Sequence, residues 1–260
     1  MTGIEEDALL AVAQEAAGAA AAELRSRFGR RSDGVRAKSG PTDLVSDADL
    51  AAEASIRAVL AERRPDDSIL AEEGGASGEG DLVWVVDPLD GTINFLFGIP
   101  VFAVSIACED AAGAIAGVVL DPIREECFAA TRSGAATLNG EPIQTPARAE
   151  LSTAMIATGF SYDAAARSRQ AEVLARVLPQ VRDIRRCGAA ALDLAWCSCG
   201  RYDAYYERGL RRWDLAAGGL IAARAGLQVR ELAAAGPQEP SGVVAAPAGL
   251  IEGLWGLVAE

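Results

Sequence analysis

Near the N-terminus, apolar residues recur at helical spacing: Leu9, Val12, Ala13, Ala16, Ala20, Leu24 and Phe28 fall near one face, and Gly29 ends the run. This predicts a scaffold helix over residues 4 to 28. The stretch from Arg30 to Pro41 is basic and turn-rich, which predicts a mobile loop carrying Lys38-Ser39-Gly40-Pro41-Thr42-Asp43. A second helix should then run to about Arg64, with Ser46 or Asp47 as its N-cap and Pro65 closing it. Two short apolar runs, Ser68 to Ala71 and Leu82 to Val86, read as buried strands, with a short flexible loop from Gly74 to Asp81 between them. Alternation over Val101 to Cys108, a turn at Asp110 to Gly113 and a run from Ala114 to Leu120 make a hairpin. Glu126 to Ala130 and the turn Leu138-Asn139-Gly140-Glu141 extend it into an antiparallel meander.

Pro142 to Glu150 is the predicted boundary between halves, 1–145 and 146–260. Beyond it strands and helices alternate. Strands are expected at 153–158, 181–185, 203–207, 227–232 and 243–246, and helices at 164–178, 189–199, 214–225 and from about Leu250. Such alternation argues an α/β layer with mixed strand direction.

The pattern acquires chemistry at Trp84-Val85-Val86-Asp87-Pro88-Leu89-Asp90-Gly91-Thr92-Ile93-Asn94-Phe95. A strand here runs into two carboxylates. Pro88 has no N–H to continue a ladder, so the chain should leave the sheet there, with Asp87 and Asp90 able to face one point. A helix beginning near Gly91 would aim its free N–H groups at the same place, which suits a phosphate, and repelling carboxylates beside an anion site call for metal cations. The competing reading is that Asp-Pro and Asp-Gly are ordinary turn formers. Elsewhere the strand Ser68 to Ala71 ends in Glu72-Glu73-Gly74, Asp49 and Glu53 share a helix face, and Asp214 in Trp213-Asp214-Leu215-Ala216-Ala217-Gly218 is either a helix cap or a further ligand.

Composition narrows the field. The 260 residues, half of them hydrophobic, suffice for a sizeable core in one large domain or two tightly joined halves. A net charge of −13 argues against a nucleic-acid or anionic-membrane surface, and a phosphorylated substrate needs metal ions to reverse the local sign. The absence of histidine removes His-based triads and His-ligated zinc. Five cysteines without a secretory segment favour a reducing cytoplasm. Cys197-x-Cys199 and Cys108, Cys127 and Cys187 read as small buried residues rather than a metal site. No apolar run approaches the ~20 residues of a membrane span.

The runs W-V-V-D-P-L-D-G-T-I-N-F and W-D-L-A-A-G, with K-S-G-P-T-D-L-V-S-D-A-D-L-A-A-E before them, resemble the inositol monophosphatase family of magnesium-dependent, lithium-sensitive phosphatases. The resemblance spans roughly Lys38 to Val229. It departs where the family has E-A-G-G and this chain has Arg224-Ala225-Gly226-Leu227. It implies an α-β-α-β-α sandwich, usually a homodimer, holding two or three Mg²⁺. Glu72, Asp87 and the Leu89 carbonyl would hold the first ion, and Asp87, Asp90 and Asp214 the second. Asp49 would help organise a weaker site, with Lys38 near the entrance. Thr92 would orient the attacking water, and Glu72 or Glu73 would accept its proton. Gly91 and Thr92 N–H groups would hold the phosphate, while Glu207 and the loop Gly188-Ala189-Ala190 would meet inositol. Inositol 1-phosphate leads among substrates. Histidinol phosphate, 3′-phosphoadenosine 5′-phosphate and other sugar phosphates of the same superfamily are alternatives, and a non-catalytic metal-binding regulator is the rival from another class.

Overall fold

A computed structural model describes residues 3–29, 35–40 and 43–259, with the side chains of residues 4, 37–40 and 43–45 outside the description. The helices are α1 (Gly3–Arg27), α2 (Asp47–Arg63), α3 (Thr92–Leu96), α4 (Ala164–Val177), α5 (Ala190–Ser198), α6 (Arg212–Arg224) and α7 (Ile251–Val258). A large sheet of eight strands runs in spatial order from Glu141–Pro142 through Thr137–Leu138, Glu126–Thr131, Gly113–Asp121, Ala103–Asp110, Val83–Asp90 and Ser68–Ala71 to Gly75–Ser77. Its pairings are antiparallel except that Ser68–Ala71 lies parallel to Val83–Asp90. A second sheet of five strands has the order Asp183–Arg185, Met155–Thr158, Ala204–Arg208, Gly242–Ala246, Gln228–Leu232, with mixed directions.

The alternation along each strand sorts residues into three cores. Val104, Ile106 and Cys108 face the layer of α1 and α2, while Ala103 and Ala107 face α5 and α6, which fill the space between the sheets. On the second sheet Ala204 and Tyr206 turn outward to α4 and α7, and Tyr205 turns inward. Layers therefore follow one another as α-β-α-β-α, the sandwich expected. Alanines at positions 13, 16, 17, 20 and 21 let α1 lie close to the sheet and α2. Trp84 is wholly buried, yet its indole N–H donates to Asp67 Oδ2 at 2.9 Å, so the ring carries no unmet donor. All five cysteines are free thiols.

Helices and most strands fall within a few residues of their predicted positions. Three local expectations do not hold. Within Arg30 to Pro41, residues 30–34 and 41 lie outside the described residues, but Arg36–Gly40 is a strand paired antiparallel with Asp43–Val45. The stretch read as a flexible loop from Gly74 holds a strand, Gly75–Ser77, on the edge of the large sheet. It is pinned from α2: Glu53 accepts from the N–H groups of Glu73 and Gly74 at 3.0 and 3.1 Å, and Arg57 donates to the Gly75 carbonyl. Finally, the chain does not leave the sheet at Pro88. Asp87 pairs with Ser105 and Asp90 with Ala103, so Pro88 and Leu89 together oppose one residue in a β-bulge. The bulge absorbs the missing proline N–H and lets the strand run on to Asp90.

Helix α6 approaches strand Gly113–Asp121 at Gly117, where a Cβ would lie 3.0 Å from the Cα of Ala217. The contact is backbone against backbone and cannot relax by a side-chain rotation. Gly117→Val should therefore destabilise the protein by about 1–3 kcal/mol. A lower midpoint of urea unfolding with unchanged slope is the expected reading; a midpoint equal to the parent's would show that α6 is not held this closely.

Candidate active site

The large sheet's strand Val83–Asp90, the start of α3, the loop before α5 and the start of α6 surround one cavity of about 760 Å³. Glu72, Asp87, Leu89, Asp90 and Asp214, the five expected metal ligands, all line it. So do Gly91, Thr92, Gly188, Ala190 and Glu207. Residues far apart in sequence thus meet because the bulged strand and two helix starts end at the same level between the sheets.

Asp87 and Asp90 are buried, at 2% and 6% exposure. Asp87 Oδ1 accepts from the Leu89 N–H at 3.0 Å, which closes the bulge. Burial, then the charges of Glu72, Asp90 and Asp214, push the Asp87 carboxyl well above its ordinary range, and a hydrogen bond with Glu72 acts in the same direction. Asp90 has a second role with no signal in the local sequence: its Oδ1 accepts from Ala190 N–H at 2.9 Å and its Oδ2 from Ala191 and Leu192 at 2.8 and 3.2 Å. Helix α5 has Ala189 as N-cap, with no side-chain cap of its own. Asp90 supplies that cap from the other half of the chain. Burial and the Asp214 charge still raise its carboxyl, against the lowering effect of the three N–H groups.

Asp49 and Asp214 each sit at the third position of a helix and accept from the backbone N–H of its N-cap residue: Ser46 to Asp49 Oδ2 at 2.8 Å, and Arg211 to Asp214 Oδ2 at 2.6 Å. Asp49 Oδ1 accepts the Thr92 hydroxyl at 2.8 Å, with the Leu89 carbonyl 3.1 Å from the same oxygen of Thr92. Asp49 is fully buried and stands behind Thr92 rather than on the cavity wall. Glu73 also stands back from the cavity, in the turn fixed by Glu53. Lys38 belongs to strand Arg36–Gly40, and its side chain lies outside the description.

The opposite wall carries Glu207, half-buried, its Oε2 accepting the Tyr205 hydroxyl at 2.6 Å. Burial pushes its carboxyl up to about 7, with the Tyr205 hydrogen bond opposing and the Asp214 charge assisting. Sequence reasoning missed three neighbours. Asp193 on α5 is buried with no hydrogen-bond partner for either oxygen, and burial with the nearby Glu207 and Asp90 charges strongly favours its protonated form. Arg186 lines the cavity beside Glu207 and brings positive charge to an acidic wall. Asn94 donates to the carbonyls of Val101 and Cys187 at 2.8 and 2.7 Å, tying the α3 turn to the loop before Gly188. Asn94 was in view within D-G-T-I-N-F; Asp193 was disguised by an apolar helix.

The donor set suits a hard divalent cation: it contains carboxylate, carbonyl and hydroxyl oxygens, and neither nitrogen nor sulfur. Among the described residues no three acidic, Cys or His side chains are already drawn to ligand spacing around one point. Asp87 instead shares a hydrogen bond with Glu72, and Asp90 accepts helix N–H groups that compensate part of its charge. Buried acids that favour protonation here are groups whose charge a cation would compensate.

The inositol monophosphatase family model matches residues 5–258. The chain is 46% identical over 240 residues to the inositol-1-monophosphatase SuhB of Mycobacterium tuberculosis, covering 85% of this chain and 83% of that protein. It is 46% identical over 195 residues to the Nus factor SuhB of Pseudomonas aeruginosa, covering 71% and 70%. The solved structure of the extragenic suppressor protein suhB from Bartonella henselae matches with a TM-score of 0.90 at 35% identity, over 97% of this chain and 99% of that one.

The raised carboxyls fix a pH dependence. An acid whose pKa is higher in the folded state binds more protons folded than unfolded, so stability falls as pH rises from its ordinary range to its folded value. For Glu207 that window is 4.5 to about 7, and Asp87 and Asp90 act in the same sense. With no histidine in the chain, few other groups titrate there. In EDTA the melting temperature should therefore drop between pH 5 and pH 7.5 in scanning calorimetry, and a flat or rising profile would contradict this picture of the site.

Proposed function

The chain belongs to the inositol monophosphatase family, and from that premise we propose that it is a Mg²⁺-dependent phosphate-monoester hydrolase that releases myo-inositol and phosphate from inositol 1-phosphate. The observation that supports this reading most is the meeting of Asp87, Asp90 and Asp214, from both ends of the chain, around a cavity whose wall also holds a hydroxyl, Thr92, anchored on a buried carboxylate. Family and metal dependence go together; Mg²⁺, its number and its ligands are part of the proposal.

Glu72, Asp87 and the Leu89 carbonyl would hold one ion, and Asp87, Asp90 and Asp214 a second. Bound there, Mg²⁺ would supply charge compensation for the phosphate dianion and acidify the attacking water, which matters because phosphate-monoester hydrolysis is among the slowest uncatalysed reactions. The chain's own groups do the positioning. Because the Thr92 hydroxyl donates its proton to Asp49, its lone pairs face outward and accept a hydrogen bond from water, fixing where that water stands. Glu72 takes the water's proton, with Glu73 beside it. The first N–H groups of α3, with Gly91 held at φ 96°, take phosphate oxygens so that attack is in line. Since α3 has only five residues, local N–H groups rather than a long dipole carry this contact. Glu207 accepts from ring hydroxyls.

A homodimer belongs to the same reading, supported by Phe97 and Ile99, which are 75% and 46% exposed just after α3 and would gain from cover. The net charge of −13 supports a small phosphorylated substrate rather than nucleic acid as ligand. Five free thiols suit a reducing cytoplasm, and among the described residues no helix is long and apolar enough to cross a membrane.

The deciding experiment is turnover with Mg²⁺ over a panel of inositol 1-phosphate, histidinol phosphate, 3′-phosphoadenosine 5′-phosphate and fructose 1,6-bisphosphate. Inositol 1-phosphate should give the highest kcat/KM, lithium should inhibit, and full turnover in excess EDTA would refute the metal assignment. Within that assay Thr92→Val keeps side-chain shape but loses the hydroxyl, so kcat should fall by at least ~10²-fold while circular dichroism stays unchanged. Parental kcat in this variant would remove Thr92 from the water-positioning role.

A further inference from the structure

Glu207 is held by its surroundings more tightly than a rim residue needs to be. Strand Met155–Thr158 runs parallel to Ala204–Arg208 with Thr158 opposite Tyr206, so the next residue, Gly159, lies beside Glu207. A Cβ built on Gly159 would fall 2.0 Å from Glu207 Oε2, 2.2 Å from its Cδ and 2.2 Å from Oε1. The whole carboxyl group therefore rests on the bare Cα of this glycine. Gly159 is not among the glycines with positive φ, so its backbone would accept any residue. Space for Glu207 is what calls for glycine here.

The second restraint is Tyr205. Its ring is fully buried in the core between the sheets, and its hydroxyl donates to Glu207 Oε2 at 2.6 Å. Residues 205 and 207 share a strand face, so a fixed ring sets the height of the carboxyl above the sheet. With Oε2 engaged by Tyr205, Oε1 remains for a ligand.

We propose that Gly159 and Tyr205 are positioning residues that lock the Glu207 carboxyl in the one place where it meets the hydroxyls of a polyol phosphate, and so set substrate preference without touching substrate. This rests on the reading of Glu207 as a polyol contact given above. An added methyl needs about 3.5–4.0 Å from the carboxyl atoms, so Gly159→Ala pushes the group aside by an ångström or more. The carboxyl is the free end of a flexible side chain, so it swings away and the sheet stays closed. Hydrogen bonds weaken steeply with such displacement.

The test is a double-mutant cycle in the Mg²⁺-loaded enzyme, with inositol 1-phosphate and p-nitrophenyl phosphate as the two substrates. Gly159→Ala should lower kcat/KM for inositol 1-phosphate by roughly 10- to 150-fold, mostly through KM, and Tyr205→Phe by roughly 2- to 10-fold, each with much less effect on p-nitrophenyl phosphate. In a Glu207→Ala background Gly159→Ala should change nothing further. A non-enzymatic readout accompanies the cycle: the ¹³C carboxyl resonance of Glu207, identified by its loss in Glu207→Ala, should shift in Gly159→Ala. If Gly159→Ala acts equally on both substrates, or as strongly without Glu207 as with it, the proposal is overturned. If Glu207→Ala leaves preference intact, the substrate reading of Glu207 fails instead, and the resonance alone then decides: a shift keeps the positioning role, and no shift removes it.

Discussion

Everything around the cavity depends on keeping several carboxylates together inside the protein. A buried negative charge is unfavourable, and a second beside it more so, unless hydrogen bonds or opposite charge compensate. Asp90 shows how the chain meets this constraint. Its two oxygens accept three N–H groups from the start of α5, a helix that begins on Ala189 and has no cap from its own sequence. One contact thus satisfies the orphan donors of a helix in the second half of the chain and compensates an acid in the first half. The β-bulge at Pro88 and Leu89 is the condition for it, because without the extra residue the strand would deliver Asp90 to the wrong face.

The same economy recurs at the other acids. Asp49 and Asp214 each use Oδ2 to accept the N-cap residue's backbone N–H at the start of α2 and α6. Capping needs one oxygen, and a carboxylate has two. In Asp49 the other reaches Thr92. Each acid is therefore aimed by a rigid helix start rather than by a loop, which gives a site the precision catalysis asks for. The question whether Asp214 is a cap or a ligand had no single answer in the sequence because both roles fit one side chain. Glu53 plays the supporting part alone: paired with Arg57, it pins the turn that carries Glu72 and Glu73, and it does not reach the cavity.

Much of this was legible from the chain. Periodicity placed the helices, the meander and the alternating second half, and the acidic runs named four acids that come to line the cavity, Glu72, Asp87, Asp90 and Asp214, together with Asp49, Glu53 and Glu73, which stand behind it. What could not be read was any feature whose cause lies far away in sequence. Gly75–Ser77 looks like a flexible loop until Arg57 and Glu53 bind it from α2. The Asp90 cap on α5 spans 100 residues. Asp193 sits in an apolar helix, and only burial beside Glu207 and Asp90 makes it unusual. Gly159 carries no motif, because its meaning is the volume it leaves for a residue on the next strand. The stretch beyond Pro88 failed for a different reason: the missing N–H was weighed correctly, but a bulge is a second way to accommodate it.

A site assembled this way places cost and function on the same groups. Asp87 and Asp90, raised by burial and by neighbouring carboxylates, and Asp193, with no hydrogen-bond partner, lower the stability of the metal-free fold at neutral pH. Apolar residues of similar size would pack there without that cost. Under the proposed chemistry a bound cation returns the lost stability by mass action, ~2.7 kcal/mol at a concentration a hundred times its dissociation constant. Folding stability and catalytic competence then respond to one ligand, and Asp87 and Asp90, which weaken the metal-free fold, are among the groups that would hold it. Local rules of packing are broken at the place where function resides, and the rest of the sandwich, with its three well-filled cores, supplies the surplus that makes the breach tolerable.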